Sequence, residues 1–360
     1  MAEALRLAQE GLYTTDPNPR VGCVIVRDGA VVGRGYHRKA GEPHAEPHAL
    51  AEAGERARGA TVYVTLEPCA HHGRTGPCVD ALIAAGVARV IYAVDDPNPV
   101  VAGRGAERLR SAGIAVESGL LSAASEALNP GFMKRHRTGM PYVRVKVASS
   151  LDGRTALANG RSQWLTGDAA RADVQRWRAR SSAVLSGAAT VDRDDARLTV
   201  RDPTIDLAGR RPLRVVLDPH LTVKPSARLL AESGGVLLIT DSDDPAKTAA
   251  LTAAGAEVVR LPAESARNLA SVLRYLATRD VNEVFVEAGA RLAGSFIEAA
   301  LVDEFLLYMA PHMLGHDGAP LAMLSMLDEL GDRWDFRFAD VRRIGEDLRM
   351  TLTPIAKESR

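Results

Sequence analysis

Aromatic side chains are scarce in this chain of 360 residues: phenylalanine, tryptophan and tyrosine together make up 4%. So few flat rings offer little on which to stack the bases of a nucleic-acid strand. An excess of one charge is missing too. Lys and Arg number 45 and so do Asp and Glu, so no global field favours nucleic acid or an anionic membrane. No apolar run approaches the roughly 18 residues of a membrane span. The first residues, 1–10, alternate charge with Ala and Leu, where a secretory signal would be continuously apolar. Cysteine is limited to three, an odd number too small for a disulfide framework. These absences lead us to expect a soluble cytoplasmic protein with a small-molecule substrate, no nucleic acid and no membrane partner. The number of copies is not fixed by them, and a homo-oligomer stays open.

What is present is a globular composition, 46% hydrophobic and 25% charged, in a chain long enough for two cores. Helical spacing over 1–11 precedes strand patterns over 21–26 and 30–36. Asp28-Gly29 between those two predicts a tight hairpin. Helix signals over 45–55, 79–85 and 107–112 then alternate with strands over 60–66, 89–94 and 114–117. The stretch 129–141 interrupts this rhythm with two prolines, two glycines and the basic run Lys134-Arg135-His136-Arg137. We read it as the junction between domains 1–140 and 141–360. Beyond it, strands over 142–148, 183–186, 213–217, 236–240 and 283–286 alternate with helices over 169–180, 246–254, 266–278 and 292–300. The tail, 304–352, reads as three strands around a loop. Both halves are α/β, the second with an antiparallel finish.

Chemistry concentrates in His44-Ala45-Glu46, Pro68-Cys69 and Pro77-Cys78. One imidazole and two thiolates suit tetrahedral zinc with the fourth position left to water. Each ligand falls near an expected helix start, where the partial positive charge favours thiolate. Zinc acidifies its water, and Glu46, two residues after the histidine and not a ligand, is placed to carry the proton to a departing amine. The generic deaminase signature, H-x-E with P-C-x-x-C, has its cysteines closer together. Here 70–77 intervene. A structural zinc site closed by His48, His71 or His72 is the alternative, but it leaves Glu46 without a task. Cys23, within a strand, reads as core. The first domain is therefore expected to be a zinc-dependent hydrolytic deaminase acting on an amino group of a nucleobase-like ring.

Further segments carry a resemblance. Pro17-Asn18-Pro19, Val21-Gly22 and His44-Ala45-Glu46 are similar to the bifunctional riboflavin-biosynthesis deaminase/reductase family. So are Thr65-Leu66-Glu67-Pro68-Cys69, His72-Gly73-Arg74-Thr75, Pro77-Cys78, and Asp96-Pro97-Asn98-Pro99 ahead of Gly103-Arg104-Gly105. That family's long loop between cysteines accounts for the spacing. Past the junction the likeness continues at Lys146, Ser150-Leu151-Asp152-Gly153-Arg154, Ser162-Gln163-Trp164 and Val286-Glu287-Ala288-Gly289. It implies a cytidine-deaminase-like first domain and a dihydrofolate-reductase-like second. It also implies loss of the 2-amino group from a diaminopyrimidinone ribosylamine 5′-phosphate, then reduction of ribosyl to ribityl by NADPH. By position His44, Cys69 and Cys78 match zinc ligands and Glu46 the proton donor. Asn18 and Arg74 match positions near base and phosphate. Pro47 departs from the family's branched apolar residue, but a helix tolerates proline in its first turn.

Alone, the second half says only that it is α/β and suited to a nucleotide. After the strand at 283–286, the glycines of Glu287-Ala288-Gly289 and Gly294-Ser295 let backbone N–H groups approach a phosphate, though packing glycines fit equally. The resemblance makes Gly289, Ala290, Arg291, Leu292, Ala293, Gly294 and Ser295 an NADPH-contacting loop and Glu287 a substrate contact. Similarly, it matches Ala148, Trp164, Thr190 and Asp194 to cofactor positions, and Ser162, Arg178, Leu198 and Arg201 to substrate positions, the two arginines suiting a phosphate. On residue type alone Trp164 could be core and the arginines solvated. Lys146 could polarise the sugar carbon or touch phosphate, and Asp152-Gly153 could be an ordinary turn. Two rivals stand beside this reading: a zinc deaminase acting on nucleic acid through a C-terminal binding domain, and a deaminase with a purely structural second half.

Overall fold

The computed structural model describes residues 1–70, 76–99 and 102–355. The chain forms two compact units, Met1–Met140 with Asp206–Arg210, and Pro141–Ile205 with Arg211–Arg360. The first runs α1 (Ala2–Glu10), β1 (Gly22–Arg27), β2 (Ala30–Tyr36), α2 (Ala45–Ala53), β3 (Thr61–Val64), α3 (Cys78–Ala84), β4 (Arg89–Tyr92), α4 (Arg104–Ser111), β5 (Ala115–Ser118), α5 (Ser122–Leu128) and α6 (Pro130–Thr138). Its sheet has the order β2-β1-β3-β4-β5, antiparallel around β1 and parallel from β3 to β5. The hairpin forms as expected: Asp28 and Gly29 both take positive φ, 50° and 77°, which matches strand twist.

Small residues set how closely α2 lies on β2. A Cβ on Gly33 would stand 2.2 Å from Ala49 O, and one on Gly35 2.2 Å from Ala45 O. Ala45, Ala49 and Ala53 recur every fourth residue and form the helix face buried there. That flush contact fixes the N-terminus of α2, which carries His44 and Glu46.

Most of the stretch 129–141, read as an irregular junction, is helical. Residues 130–138 form α6, with Pro130 in its first turn, a left-handed Gly139 at its C-cap and Arg135, His136 and Arg137 in its last turn. Each feature that looked like a linker is a helix-end signal: proline fits N1, glycine stops the helix and cations suit its C-terminus. Phe132 and Met133 of α6 belong to the first core, together with Ile25, Val62, Leu82 and Leu109. The preceding α5 also escaped the sequence reading.

The second unit contains β6 (Tyr142–Ser149), β7 (Arg154–Ala156), α7 (Asp168–Arg180), β8 (Ala183–Gly187), α8 (Ala188–Asp194), β9 (Leu213–Leu217), α9 (Arg228–Ala231), β10 (Val236–Thr240), α10 (Pro245–Ala253), β11 (Glu257–Arg260), α11 (Ala263–Ala266) and α12 (Leu269–Thr278). It ends with β12 (Glu283–Glu287), α13 (Ala290–Glu298), β13 (Glu304–Met309), β14 (Ala319–Pro320), β15 (Phe336–Ile344) and β16 (Asp347–Pro354). Among the described residues its main sheet has the order β11-β10-β9-β8-β12-β6-β13-β16-β15. Strands β11 to β13 pair in parallel, and β16 and β15 supply the antiparallel finish. Because β12 inserts between β8 and β6, Glu287 at the carboxyl end of β12 lies in register beside Lys146 in the second half of β6. In open α/β sheets that edge is where ligands bind.

Candidate active sites

In the first unit three ligand-type atoms converge. The His44, Cys69 and Cys78 donor atoms all lie within 4.8 Å of one another. His44 caps the start of α2 and Cys78 begins α3. His44 Nδ1 is 3.2 Å from Cys78 Sγ and 3.5 Å from Cys69 Sγ, and Cys78 N–H points at Cys69 Sγ from 3.4 Å. A hydrogen bond from Cys78, supported by His44, holds the Cys69 thiol well below its ordinary range against its burial. As donor of that bond, Cys78 is pushed well up. A hydrogen bond to Cys69 likewise raises His44. One imidazole and two thiolates balance a dication, so the donor set suits zinc. Among the described residues no fourth histidine or carboxylate joins the group, and His48 is not in it. His71, His72 and Arg74 lie outside the described residues.

Glu46 supports the same fit. It is only 3% exposed, and its Oε2 is buried with no hydrogen-bond partner. Burial raises its pKa above the ordinary carboxylate range, against the pull of His44. A carboxyl raised in this way is a stronger proton acceptor than an exposed one and can pass the proton on.

Asn18 reaches this centre through His37, which the sequence reading missed. His37 Nδ1 lies 3.1 Å from Pro43 O, and its ring meets the His44 ring edge-on at 5.3 Å. A carbonyl only accepts, so Nδ1 carries the proton. Burial lowers the His37 pKa to about 4, so the ring is neutral and Nε2 must accept. Its partner, 3.1 Å away, is Asn18 Nδ2, which leaves the Asn18 amide oxygen for a ligand donor. A lone histidine after a strand has no spacing that would have revealed this. Glu67 is a structural clasp: its carboxylate accepts from the N–H groups of Gly103, Gly105 and Ala106 at 3.0–3.2 Å, tying the start of α4 beside the Cys69 loop.

The second site gathers where β6, β8 and β12 end. Arg178 of α7 grips Glu287 with Nε and Nη2, at 2.5 and 2.9 Å, and gives Nη1 to Thr199 O at 2.8 Å. Burial pushes the Glu287 carboxyl up, but Arg178 and Lys146 outweigh it and hold it below the usual range. Burial lowers the Lys146 ammonium, which faces Glu287, Arg178 and Asp194. Ser162 Oγ donates to Asp194 at 3.4 Å, and Gly289 N–H donates to Thr190 Oγ1 at 3.3 Å. Ala148 lies two residues beyond Lys146 on β6, and buried Leu198 precedes the segment that Arg178 holds. Trp164 stands apart, 69% exposed, with the Arg171 guanidinium 4.7 Å from its ring.

One expectation changes here. Gly289–Ser295 is not a loop: Gly289 caps α13 and the rest are its first turns. Within it Ala293 and Gly294 are buried, and a Cβ on Gly294 would stand 1.9 Å from Met323 O, so this glycine permits packing. Arg178 spends three of its five N–H donors on Glu287 and Thr199, which leaves one on each terminal nitrogen for a substrate oxygen. Arg201 makes no ion pair among the described residues and stays available.

Known proteins share both units. Residues 1–94 match the cytidine and deoxycytidylate deaminase zinc-binding region, and 141–350 the RibD C-terminal domain. The latter match displaces both rivals, a nucleic-acid-binding second half and a purely structural one. Riboflavin biosynthesis protein RibD of Escherichia coli (strain K12) is 49% identical over 97% of this chain and 96% of its own. The RibD of Haemophilus influenzae is 47% identical over 98% and 96%. Acinetobacter baumannii RibD superposes with a TM-score of 0.93 at 44% identity, covering 99% of this chain and 98% of that one. A diaminohydroxyphosphoribosylaminopyrimidine deaminase/5-amino-6-(5-phosphoribosylamino)uracil reductase from Thermotoga maritima gives 0.86 at 34% identity, covering 99% and 97%. Likeness that runs the length of these chains, through both units, means that the chain belongs to the RibD family, in which a zinc-dependent deaminase and a reductase of riboflavin biosynthesis share one polypeptide.

Proposed function

We propose that the first unit deaminates diaminohydroxyphosphoribosylaminopyrimidine and that the second reduces the resulting 5-amino-6-(5-phosphoribosylamino)uracil with NADPH. The observation that carries the first step is the His44–Cys69–Cys78 cluster beside an orphaned, buried Glu46 oxygen. His44 Nδ1 and the two sulfurs hold zinc, which when bound acidifies water and supplies the nucleophile at neutral pH. Glu46 takes up the proton at Oε2 and delivers it to the departing amino nitrogen, turning a poor leaving group into ammonia. The Asn18 amide oxygen, set by His37, accepts from a ring N–H or amino group. Arg74 stays assigned to the phosphate end by resemblance alone.

For the reduction, NADPH supplies hydride. The N-terminus of α13 presents its first-turn backbone N–H groups to a cofactor phosphate at Ala290–Leu292, while the Gly289 N–H is held by Thr190 Oγ1. Ala148, Trp164 and Asp194 line the rest of the cofactor side, while Ser162, Leu198 and Glu287 meet the substrate. Arg201 takes the substrate phosphate. Lys146, which makes no ion pair among the described residues, directs its donors to the sugar. Both reactions belong in the cytoplasm, where NADPH is supplied and thiols such as Cys69 and Cys78 stay reduced.

Product analysis tests the sequence of steps. Incubation with the diaminopyrimidine phosphate alone yields the deaminated ribosylamine, and adding NADPH converts it to the ribityl compound. A ribityl product that still carries the 2-amino group would reverse the proposed order.

A further inference from the structure

The segment that follows α8 is held by side chains of α7. Gln175 Oε1 accepts from Arg201 N–H at 2.8 Å, and Arg178 Nη1 donates to Thr199 O at 2.8 Å. Three residues apart, these two lie on one face of the helix, and both are buried. They give an irregular segment, 196–202, hydrogen bonds that no strand gives it. Two polar groups are left over there. The Arg201 guanidinium has no ion-pair partner among the described residues, and the Thr199 hydroxyl is buried with no hydrogen-bond partner. A cation and a hydroxyl two residues apart, both unanswered, fit an anionic oxygen ligand.

We infer that Gln175 is a positioning residue for phosphate recognition in the reduction. By fixing the backbone of Arg201, it presents the guanidinium and the Thr199 hydroxyl together to the phosphate of the substrate. Arg178 cannot do this alone, because its bond reaches Thr199 and leaves the chain free to turn at Arg201. An uncoupled Arg201 would spread over many rotamers and lose its registry with Thr199. This inference rests on the reading that Arg201 takes that phosphate.

The test follows NADPH oxidation by the full chain with the deaminated ribosylamino uracil phosphate and with its dephosphorylated form. Gln175→Met keeps side-chain length and removes the acceptor. It should raise KM for the phosphorylated substrate about tenfold, the lower range for a lost charge-assisted contact. The kcat, and the KM for the dephosphorylated form, should stay within about twofold of the parent. Gln175→Glu, which restores an acceptor at the same reach, should recover most of the loss. An equal rise for both substrates would show a general packing role and overturn the inference, as would no rise at all. If Gln175→Met does not melt cooperatively, Gln175→Asn, with its acceptor withdrawn by one methylene, puts the same question. Arg201→Met separates the two levels. If it fails to raise KM selectively, the phosphate reading itself falls. If it succeeds while the Gln175 variants match the parent, only the role of Gln175 falls.

Discussion

The two sites solve opposite electrostatic problems. The deaminase centre is a set of buried groups whose demands are not met within the protein: two cysteine sulfurs face a single imidazole, and one Glu46 oxygen is buried with no hydrogen-bond partner. The reductase site buries more charge but pairs most of it, Arg178 with Glu287 and Ser162 with Asp194. Among the described residues, the charged groups of this site that make no ion pair are Lys146 and Arg201, and both are cations. A site left short of positive charge awaits a metal, while one with spare cations awaits an anionic substrate. Unpaired buried groups cost stability, so each unit concentrates that cost where a ligand relieves it.

The sharpest break of this comparison is Cys69→Ser. A hydroxyl is a poor zinc ligand, so the variant should hold far less than one zinc per chain and lose deamination, by metal analysis and product assay. NADPH-dependent reduction of supplied deaminated substrate should stay near the parent rate, since the second unit has its own core. Undiminished zinc would remove the ligand assignment. Next comes Glu46→Gln, which takes away a proton carrier and no ligand. Zinc should remain while deamination falls on the order of 10²–10⁴-fold, the usual worth of a positioned acid–base group. Retained turnover would mean that another group moves the proton.

Arg178→Met tests the opposite style of site. Both partners of the pair are nearly buried, at 10% and 12% exposed, and breaking such a pair leaves one charge uncompensated, at about 3 kcal/mol. The pH dependence has a definite sign. Glu287 titrates below its usual range in the parent, so its contribution is present at neutral pH and lost only as pH falls through that lowered value. In the variant the pull of Arg178 is gone while that of Lys146 and Arg201 remains, so the carboxyl takes up its proton at higher pH than in the parent. The melting-temperature gap between parent and variant should therefore narrow from about pH 7 to pH 5. A constant gap would mean that Glu287 does not depend on Arg178 for its charge.

The same contrast governs what could be read from the chain. His44, Glu46, Cys69 and Cys78 fall within a short stretch, and their residue types name their chemistry. The reductase residues are spread from Lys146 to Arg201 and on to Glu287, and they meet only because β12 inserts between β6 and β8. No local pattern encodes that insertion, so resemblance had to supply the site. The 13-residue helix α7 and the apolar run of β10 were legible, whereas β7, α8 and β11 carry too weak a pattern for their length. The misread 130–138 has a different cause. Pro130 and Gly139 punctuate a helix from its two ends, and composition alone does not separate that from a linker. His37 and Gln175 act through a single hydrogen bond to another residue, which spacing does not announce.

The smallest effect expected is at Trp164, where the comparison can be sharpened most finely. Its ring is the most exposed of the large apolar groups assigned to a site, and its recorded contact, with Arg171, is a surface cation–π pair. Such pairs are worth roughly 0.5–1 kcal/mol, so Trp164→Leu should shift the melting temperature little. The other tryptophans are differently placed. Trp177 has the guanidinium groups of Arg144, Arg180 and Arg349 within 5.3–5.6 Å of its ring, and Trp334 lines an apolar groove with Phe305 and Leu352. Trp164 is therefore the ring free to be covered by a flat ligand. NADPH should quench the parent's tryptophan fluorescence, and the variant should lose most of that quenching while binding a few-fold more weakly, as befits one stacking contact. Equal quenching in parent and variant would place the cofactor elsewhere and confine the site to the paired charges around Glu287.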